Sequence, residues 1–526
     1  MKIPGITRGY GLARFKYEKE KKIDFSFNEI EFLARKLTKE KSELEFWIFY
    51  KLIEAEKNGG ICVSRNIIEE FLSSKGISFS LNDLDSIPVI LDNDNVYLKK
   101  THFIENNLIE KVKNLLDKKI SNLNKLDYDK KFSTEQIEVI KNCLNHSICF
   151  LTGGPGTGKT TILKSVLSSC LLNGIHEEDI LVLAPTGKAA KRFLENSVEL
   201  FQNFPNLKKP RTIHSALGWN PSTGKTTKNE ENPFSEKLFI IDESSMVDIF
   251  VMEKFLSALD YTKEIRVILS GDSDQLLSID SGMIFSDLVA CEKNVFRLTK
   301  TFRQGHLENE ISKLANVIKN SQVPILSEYS KEVIFEDTKD ENFDEKILNW
   351  YKQHISTNAQ ILSPFNKDIG GVSHINQLIN ESREIEVTKI GFKLGSPLIA
   401  LKNIPELDIL NGETGILFQE GNEIKFMNSE NKELIFYSHL RNFFQLSYCI
   451  TIHKSQGSEY DHVCLVLPEA KTSPKLSILN KRLIYTAITR AKRTITIFGS
   501  QKTWEEIFSK NEIKRQSGII RKIQDQ

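Results

Sequence analysis

Between about residues 130 and 300, short unbroken apolar runs alternate with stretches whose apolar residues fall at three-to-four spacing. The runs are SICFLTGG, ILVLAPTG, KLFIIDESS and RVILSGDSDQ. Each ends on its carboxyl side in Gly, Asp or Ser, the pattern of strands buried on both faces and joined by helices. A second series, AQILSPFN, HVCLVLPE and RTITIFGS, follows from about residue 300. The alternation predicts two parallel α/β units. From about 393 to 445 the pattern changes to short β-like runs with turn residues (PLIALKNIP, ILNGETGILF, EIKFMNSENKELIFY), which predicts a small β-barrel insert. Residues 1–125 read as mostly helical, with FLARKL and ELEFWIFYKLIEAEK at helical spacing and a hairpin at IPVILDNDNVYLKK. The polar, Lys-rich KKISNLNKLDYDKKFSTEQ reads as a linker, ending near Asp129. The predicted domains are therefore 1–125, 126–300 and 301–526, the last carrying the insert.

A length of 526 residues fits two to four domains. Charged residues make up 27% and hydrophobic residues 40%, which places the chain among soluble globular proteins and excludes disordered and fibrous classes. The net charge of +1 gives no global sign of a polyanion partner, so any nucleic-acid track must come from local clustering. The start has no apolar stretch of signal-peptide type, and no apolar run approaches bilayer length. Seven cysteines lie scattered without a CxxC pair, which favours reduced, buried thiols in a cytoplasmic protein and argues against a zinc or iron–sulfur site.

LTGGPGTGKTT carries the sharpest chemistry. Gly153, Gly158, Lys159 and Thr160 satisfy G-x-x-x-x-G-K-[ST], after an apolar run and at the head of a helical pattern, the context a phosphate loop needs. The stretch Gly153, Gly154, Pro155, Gly156, Thr157, Gly158, Lys159, Thr160, Thr161 presents backbone N–H groups to phosphates at a helix N-terminus. Lys159 would neutralise the β- and γ-phosphates of ATP, and the Thr160 hydroxyl would ligate Mg²⁺. A chance glycine-rich turn would lack the flanking strand and helix. Asp242, closing the run KLFII, would hold Mg²⁺, and Glu243 beside it would orient and deprotonate the attacking water. Two adjacent acids could cap a helix, but with the phosphate loop upstream the catalytic reading prevails. In GDSDQ, Asp272 and Asp274 fall in a loop after a strand, and the Gln275 amide can touch a γ-phosphate and the water. Gly224-Lys225-Thr226-Thr227 is a decoy: Trp219 stands where the first loop glycine should be.

The residues taken together resemble superfamily-one helicases, over the span from Gln136 to Gly499 and in family order. FSTEQIEVI places Gln136 where that family recognises adenine. LAPTGKAAKR and RTIHSALG resemble its strand-contacting motifs Ia and Ib, LTKTFRQ its motif IV, SYCITIHKSQGSEYDHV motif V and LIYTAITRAKRTITIFG motif VI. The wording of the motifs is similar to the RecD-like members of the 5′→3′ branch, the alpha subunits of exodeoxyribonuclease V. ICVSRNII, PVILDNDNVYLKK and the tail KRQSGI are also RecD-like, and no helix-hairpin-helix region of the stand-alone type is evident.

The resemblance implies two RecA-like motor domains in an α/β fold, with a partner-binding N-terminal domain. It implies an ATP-dependent 5′→3′ DNA helicase in double-strand break repair and recombination. The partners implied are single-stranded or duplex-end DNA and RecB-like and RecC-like subunits in a hetero-trimer. Arg303 and Arg490 match the family's arginine fingers, and Glu459 the contact to the nucleotide ribose. Pro185, Thr186, Lys188, Arg211, Thr212, His214, Thr451 and His453 match the strand-contacting positions, where hydroxyls and cations suit binding without sequence readout. Relatives carry a strand-separating pin at Asn220–Glu236; here that stretch is short and polar. No nuclease carboxylate–lysine cluster is evident. Three other readings stay open: a stand-alone helicase of the same branch, an assembly subunit using nucleotide as a switch, and an RNA helicase.

Overall fold

The computed structural model describes residues 25–38, 42–80, 83–276, 281–300, 309–325, 328–336, 342–367, 369–428, 431–467, 479–509 and 516–525. The start of the chain, where no signal peptide was expected, lies outside them. Nineteen strands form four sheets among the described residues.

Near the amino end, β1 (Val63–Ser64), β2 (Val89–Asp92) and β3 (Asn95–Leu98) form an antiparallel sheet. β2 and β3 make the expected hairpin, with Asn93 in the left-handed region at φ 58°, a conformation asparagine tolerates better than most residues. Helix α1 (Glu43–Lys57), N-capped by Ser42, buries Ile48, Phe49, Leu52 and Ile53 beside this sheet.

The first lobe is a six-stranded parallel sheet. Its strands are β4 (Ile148–Gly153), β5 (Ile180–Ala184), β6 (Arg211–Thr212), β7 (Leu238–Ile241), β8 (Arg266–Gly271) and β9 (Val295–Leu298), in the order β6-β5-β7-β8-β4-β9. Every residue of β5, β7 and β8 is buried, as a sheet covered by helices on both faces requires. The second lobe is also parallel. It comprises β10 (Val333–Glu336), β11 (Ala359–Ser363), β17 (Cys449–Thr451), β18 (Tyr460–Leu467) and β19 (Ala491–Gly499), ordered β10-β19-β18-β11-β17.

Between β11 and β17 the chain builds a separate antiparallel sheet. Its strands are β12 (Pro397–Ala400), β13 (Thr414–Glu420), β14 (Glu423–Asn428), β15 (Glu433–Ile435) and β16 (Phe444–Leu446). Burial alternates along β14, where Ile424, Phe426 and Asn428 point inward, which is the mark of a sheet with one wet face. Phe426, Phe436 and Phe444 pack with ring centroids 5.0–6.5 Å apart to form its core.

Two segments bind the parts together in ways composition conceals. The polar stretch from 118 to 131 has no regular structure, yet it is tied along its length to the first lobe. Lys118 Nζ donates to the Tyr261 carbonyl (2.7 Å), Leu123 N to Asn145 (2.9 Å) and Asp127 N to Ser169 (2.8 Å). It is a strap rather than the linker expected there. Helix α2 (Lys99–Asp117) before it buries Leu108, Ile109, Val112 and Leu115 in the first lobe's core.

Residues 516–525, which follow the second lobe, return to the amino-terminal sheet and the first lobe. Gln516 bridges Cys62 beside β1, and Gly518 N donates to Glu105 Oε1 (2.6 Å). Ile519 and Ile523 of α3 (Ile519–Gln524) are fully buried in the first lobe's core. A Cβ at Gly518 would stand 2.5 Å from the Tyr97 hydroxyl, so only glycine fits this approach.

Candidate nucleotide and strand site

The phosphate loop leaves β4 at Gly153 and enters the helix Lys159–Leu172, whose N-cap is Gly158 at φ 87°. Gly156 is also left-handed, at φ 77°. At Gly153 a Cβ would meet Thr157 Oγ1 at 2.8 Å and Leu298 at 3.0 Å, so the glycines are fixed by close approach as well as by φ. Thr157 Oγ1 donates to the Gly154 carbonyl (2.8 Å), bracing the turn. Lys159 Nζ donates to the carbonyls of Gly153 (2.5 Å) and Gly154 (3.2 Å), so the ammonium lies over the loop's own backbone.

Asp242, Glu243, Asp272 and Gln275 also lie just beyond the carboxyl ends of their strands, the edge where parallel sheets bind ligands. Asp242 follows β7 and is buried. Its Oδ1 accepts from Ser270 Oγ (3.1 Å) and Glu243 N (3.0 Å). Burial, then the neighbouring Glu243, pushes its carboxyl up to about 6, with Lys159 opposing. Glu243 sits at φ 55°, an uncommon conformation for a non-glycine residue and one associated with functional sites. Asp272 follows β8, and its Oδ2 accepts from Gln275 Nε2 (2.9 Å).

The second lobe closes this site from the other side. The Arg490 guanidinium is buried at 2% exposure. It donates to the carbonyls of Thr486 (3.0 Å) and Ser458 (3.1 Å), and to Gln275 Oε1 of the first lobe (3.1 Å). Glu459 meets Arg192 of the helix Gly187–Glu195 at 2.5 Å, and Arg192 also donates to the Gly457 carbonyl (3.0 Å). A cleft of about 450 Å³ lies between the lobes, lined by Lys159, Thr160, Thr161, Asp242, Glu243, Gln275, Glu459 and Arg490 among others. Pro155, Gly156 and Gly158 line it too.

The structure thus gathers most of the predicted nucleotide residues around one cleft; Gly153, Gly154 and Thr157 line the space beside it, and Gln136 stands apart from the set. Gln136 lies in a capping box: its Oε1 accepts from Ser133 N (3.0 Å) and Ser133 Oγ accepts from Gln136 N (3.3 Å). Its Nε2 stands 3.1 Å from where a Gly158 Cβ would be, so only the amide nitrogen faces the loop. Arg303 lies outside the described residues.

The predicted strand residues fall at three strand ends. Pro185 and Thr186 follow β5, Arg211 and Thr212 form β6, and Thr451 ends β17. Three threonine hydroxyls cap helical turns there: Thr186 accepts from Ala189 N (3.2 Å), Thr212 from Ser215 N (3.1 Å) and Thr451 from Lys454 N (3.3 Å). Arg211 and His214 are exposed, with His214 edge-on to Trp219 at 5.6 Å. His453 is half-buried, and burial lowers its pKa. Burial, then Arg192 and Arg490, lowers Lys188 to about 8. The pin stretch after Trp219 folds back on the first lobe, where Thr227 N donates to the Leu217 carbonyl (2.9 Å).

Sequence reasoning singled out Arg490, Gln275 and Glu459 but missed other residues that join the lobes. Arg192 sits within a recognised motif and Tyr485 within an apolar run, and no local signal marks either as an inter-lobe contact. Lys191 meets Glu413 of the insert (3.2 Å), and Leu410 of the insert packs on Gly187, where a Cβ would come within 2.9 Å.

Residues 136–281 match the family model described as an AAA domain, and residues 446–497 match the UvrD-like helicase C-terminal domain. The chain is 29% identical to the RecBCD enzyme subunit RecD of Buchnera aphidicola subsp. Schizaphis graminum, over 89% of this chain and 92% of that protein. To the RecBCD enzyme subunit RecD of Haemophilus influenzae it is 26% identical, over 73% and 72% respectively. To the ATP-dependent RecD2 DNA helicase of Deinococcus radiodurans it is 28% identical, over 75% of this chain and 53% of that protein. Among solved structures it is similar to Bacteroides Pif1 bound to ssDNA, at 20% identity, over 72% of this chain and 94% of that one, with a TM-score of 0.45. Over most of its length the chain is similar to proteins named as RecD subunits of the RecBCD enzyme.

Proposed function

We propose that this chain is an ATP-dependent 5′→3′ DNA helicase, the motor subunit of a RecBCD-type exonuclease complex in double-strand break repair and recombination. The observation that carries the reading is the contact of Arg490 with Gln275. A buried arginine of one lobe holds a carboxamide of the other beside the phosphate loop. A cleft completed only when both lobes meet links hydrolysis to lobe closure, and closure to stepping along a strand.

In this reading Lys159 swings from the loop carbonyls to the β- and γ-phosphates, and Glu243 accepts the proton of the attacking water. Gln275 orients that water, while Arg490 and Arg303 complete the charge around the γ-phosphate. Thr160 and Asp242 fit a hard cation: both offer oxygen, both line the cleft, and the Asp242 carboxylate is disfavoured by burial until a cation joins it. Mg²⁺ held there would supply charge neutralisation at the phosphates. Gln136 would meet the base through its amide nitrogen, and Glu459 the ribose. The strand would run over Pro185, Thr186, Lys188, Arg211, Thr212, His214, Thr451 and His453, held by its phosphates.

The partners proposed are single-stranded or duplex-end DNA and RecB-like and RecC-like subunits, in the cytoplasm. The RecD relatives are named as subunits of RecBCD, and the chain spans 92% and 72% of the two described, against 53% of RecD2. No described helix is long and apolar enough to cross a membrane.

Co-purification from the native cell, followed by unwinding of 5′- and 3′-tailed duplexes with Lys159→Gln as control, tests the reading. Two large partners, exonuclease activity and a 5′-tail preference are expected. Unwinding by the purified chain alone would favour the stand-alone helicase. ATP binding without turnover would favour a nucleotide switch.

A further inference from the structure

The loop after β8 is held by one face of a helix in the other lobe. Four residues of the segment that begins with the helix Lys481–Ile488 each engage it. Arg482 Nη1 donates to the Ser273 carbonyl (2.6 Å), and the Tyr485 hydroxyl donates to Asp272 Oδ2 (3.3 Å). Thr486 Oγ1 accepts from Leu276 N (2.9 Å), and Arg490 donates to Gln275 Oε1 (3.1 Å). Positions 482, 485 and 486 share one helical face and Arg490 follows in the turn after it, so the segment engages Asp272, Ser273, Gln275 and Leu276 of the loop.

Tyr485 touches the phosphate loop as well as the loop after β8. It is 5% exposed, and its hydroxyl stands 3.1 Å from where a Cβ on Gly154 would be. The hydroxyl is therefore wedged between the phosphate-loop backbone and Asp272. Asp272 is 1% exposed, and its Oδ2 is shared by two donors, Tyr485 and Gln275 Nε2. Gln275 is thus held at both ends of its carboxamide: the nitrogen by Asp272, the oxygen by Arg490.

We propose that Tyr485 is a positioning residue for ATP hydrolysis, setting Gln275 through Asp272 so that the carboxamide is aimed only when the second lobe is seated on the first. The idea rests on the ATPase reading of this cleft. It adds a second inter-lobe input, independent of the arginine, which acts on the opposite end of the same side chain. Asp272 Oδ1 also accepts from Asp274 N (3.1 Å), so a carboxylate stripped of the Tyr485 hydroxyl relaxes toward its two remaining donors, and the rotamer of Gln275 goes with it.

The test uses the full chain with its partners and measures strand-stimulated ATP hydrolysis for wild type, Tyr485→Phe, Gln275→Ala and the double variant. Phenylalanine keeps the ring and removes only the hydroxyl. The kcat of Tyr485→Phe is expected to fall about tenfold, the scale of one hydrogen bond to a charged group, with the KM for ATP within about twofold of wild type. In the Gln275→Ala background the same change is expected to cost nothing further, because the group it positions is gone. Equal costs in both backgrounds would make Tyr485 a packing residue and overturn the proposal, as would a wild-type kcat. A raised KM with unchanged kcat would overturn it too, by assigning the hydroxyl to nucleotide binding. If wild type itself fails to hydrolyse ATP, the ATPase reading falls instead. Asp272→Asn, which retains an acceptor, should lose less than Asp272→Ala; the reverse order would also count against the relay.

Discussion

Lys522 Nζ lies 2.7 Å from Glu105 Oε2 and 2.6 Å from Asp92 Oδ2, joining a segment after the second lobe to the amino-terminal region. Glu105 is fully buried. Removing the cation would strand a buried carboxylate, which costs far more than an exposed pair is worth. Lys522→Met should destabilise the folded protein by roughly 3 kcal/mol in chemical denaturation. Adding Glu105→Gln should restore part of that loss. A double variant no better than Lys522→Met would show that the loss comes from packing of the lysine stem.

The same segment carries a pH dependence. Ser517 Oγ donates to Asp287 Oδ2 (2.7 Å), and burial pushes the Asp287 carboxyl up to about 7. The folded state therefore holds this proton more tightly than the unfolded one, whose carboxyl titrates near 4. Stability from this group is greatest below about pH 4 and is lost as pH rises toward 7. Asp287→Asn removes the titration. Its melting temperature should gain on wild type between pH 5 and pH 8, and parallel pH profiles would rule out a titrating Asp287.

Gln136 offers a way to separate a cap from a base contact. Gln136→Glu keeps the oxygen that accepts from Ser133 N and removes the amide nitrogen facing Gly158. The melting temperature should hold while the KM for ATP rises several-fold. Gln136→Ala should lose about 1 kcal/mol from the cap as well. Should the glutamate variant bind ATP normally, Gln136 acts only as a helix cap.

These residues show what a sequence can and cannot reveal. The phosphate loop was legible because its chemistry is local: Gly153 to Thr161 are consecutive, and their flanking strand and helix have their own periodicity. The parallel sheets were legible because β5 and β7 are apolar throughout and β8 has the apolar centre Val267–Leu269, whereas β14 alternates. Contacts made at long range left no such trace. The strap from 118 to 131 looks like a linker because the groups that tie it down, Tyr261, Asn145 and Ser169 among them, lie elsewhere in the chain. The return of residues 516–525 depends on Glu105 and Asp287, over two hundred positions earlier, and no period encodes it. Tyr485 reads as one more apolar residue in LIYTAI, since its hydroxyl finds Asp272 only after both lobes have folded. Strand-contact positions could be listed from motif wording, but that wording hides how Thr186, Thr212 and Thr451 spend their hydroxyl oxygens on caps.

Lys188 brings stability and strand binding into opposition. Burial and the nearby Arg192 and Arg490 disfavour its charge, lowering it to about 8. Its folded pKa lies below the unfolded value, so the charged form costs stability at neutral pH, and that cost disappears as pH rises above the unfolded pKa. A cation kept where it is disfavoured is the mark of a group held for an anion. Lys188→Met preserves the stem and removes the charge. At pH 7 its melting temperature should rise, while its affinity for a single strand should fall. The slope of log affinity against log salt should shrink by about 0.7, the contribution of one phosphate contact on a single strand. The two measurements must move in opposite directions: a variant that loses both would make Lys188 a structural cation, and one that gains stability with an unchanged salt slope would remove it from the track.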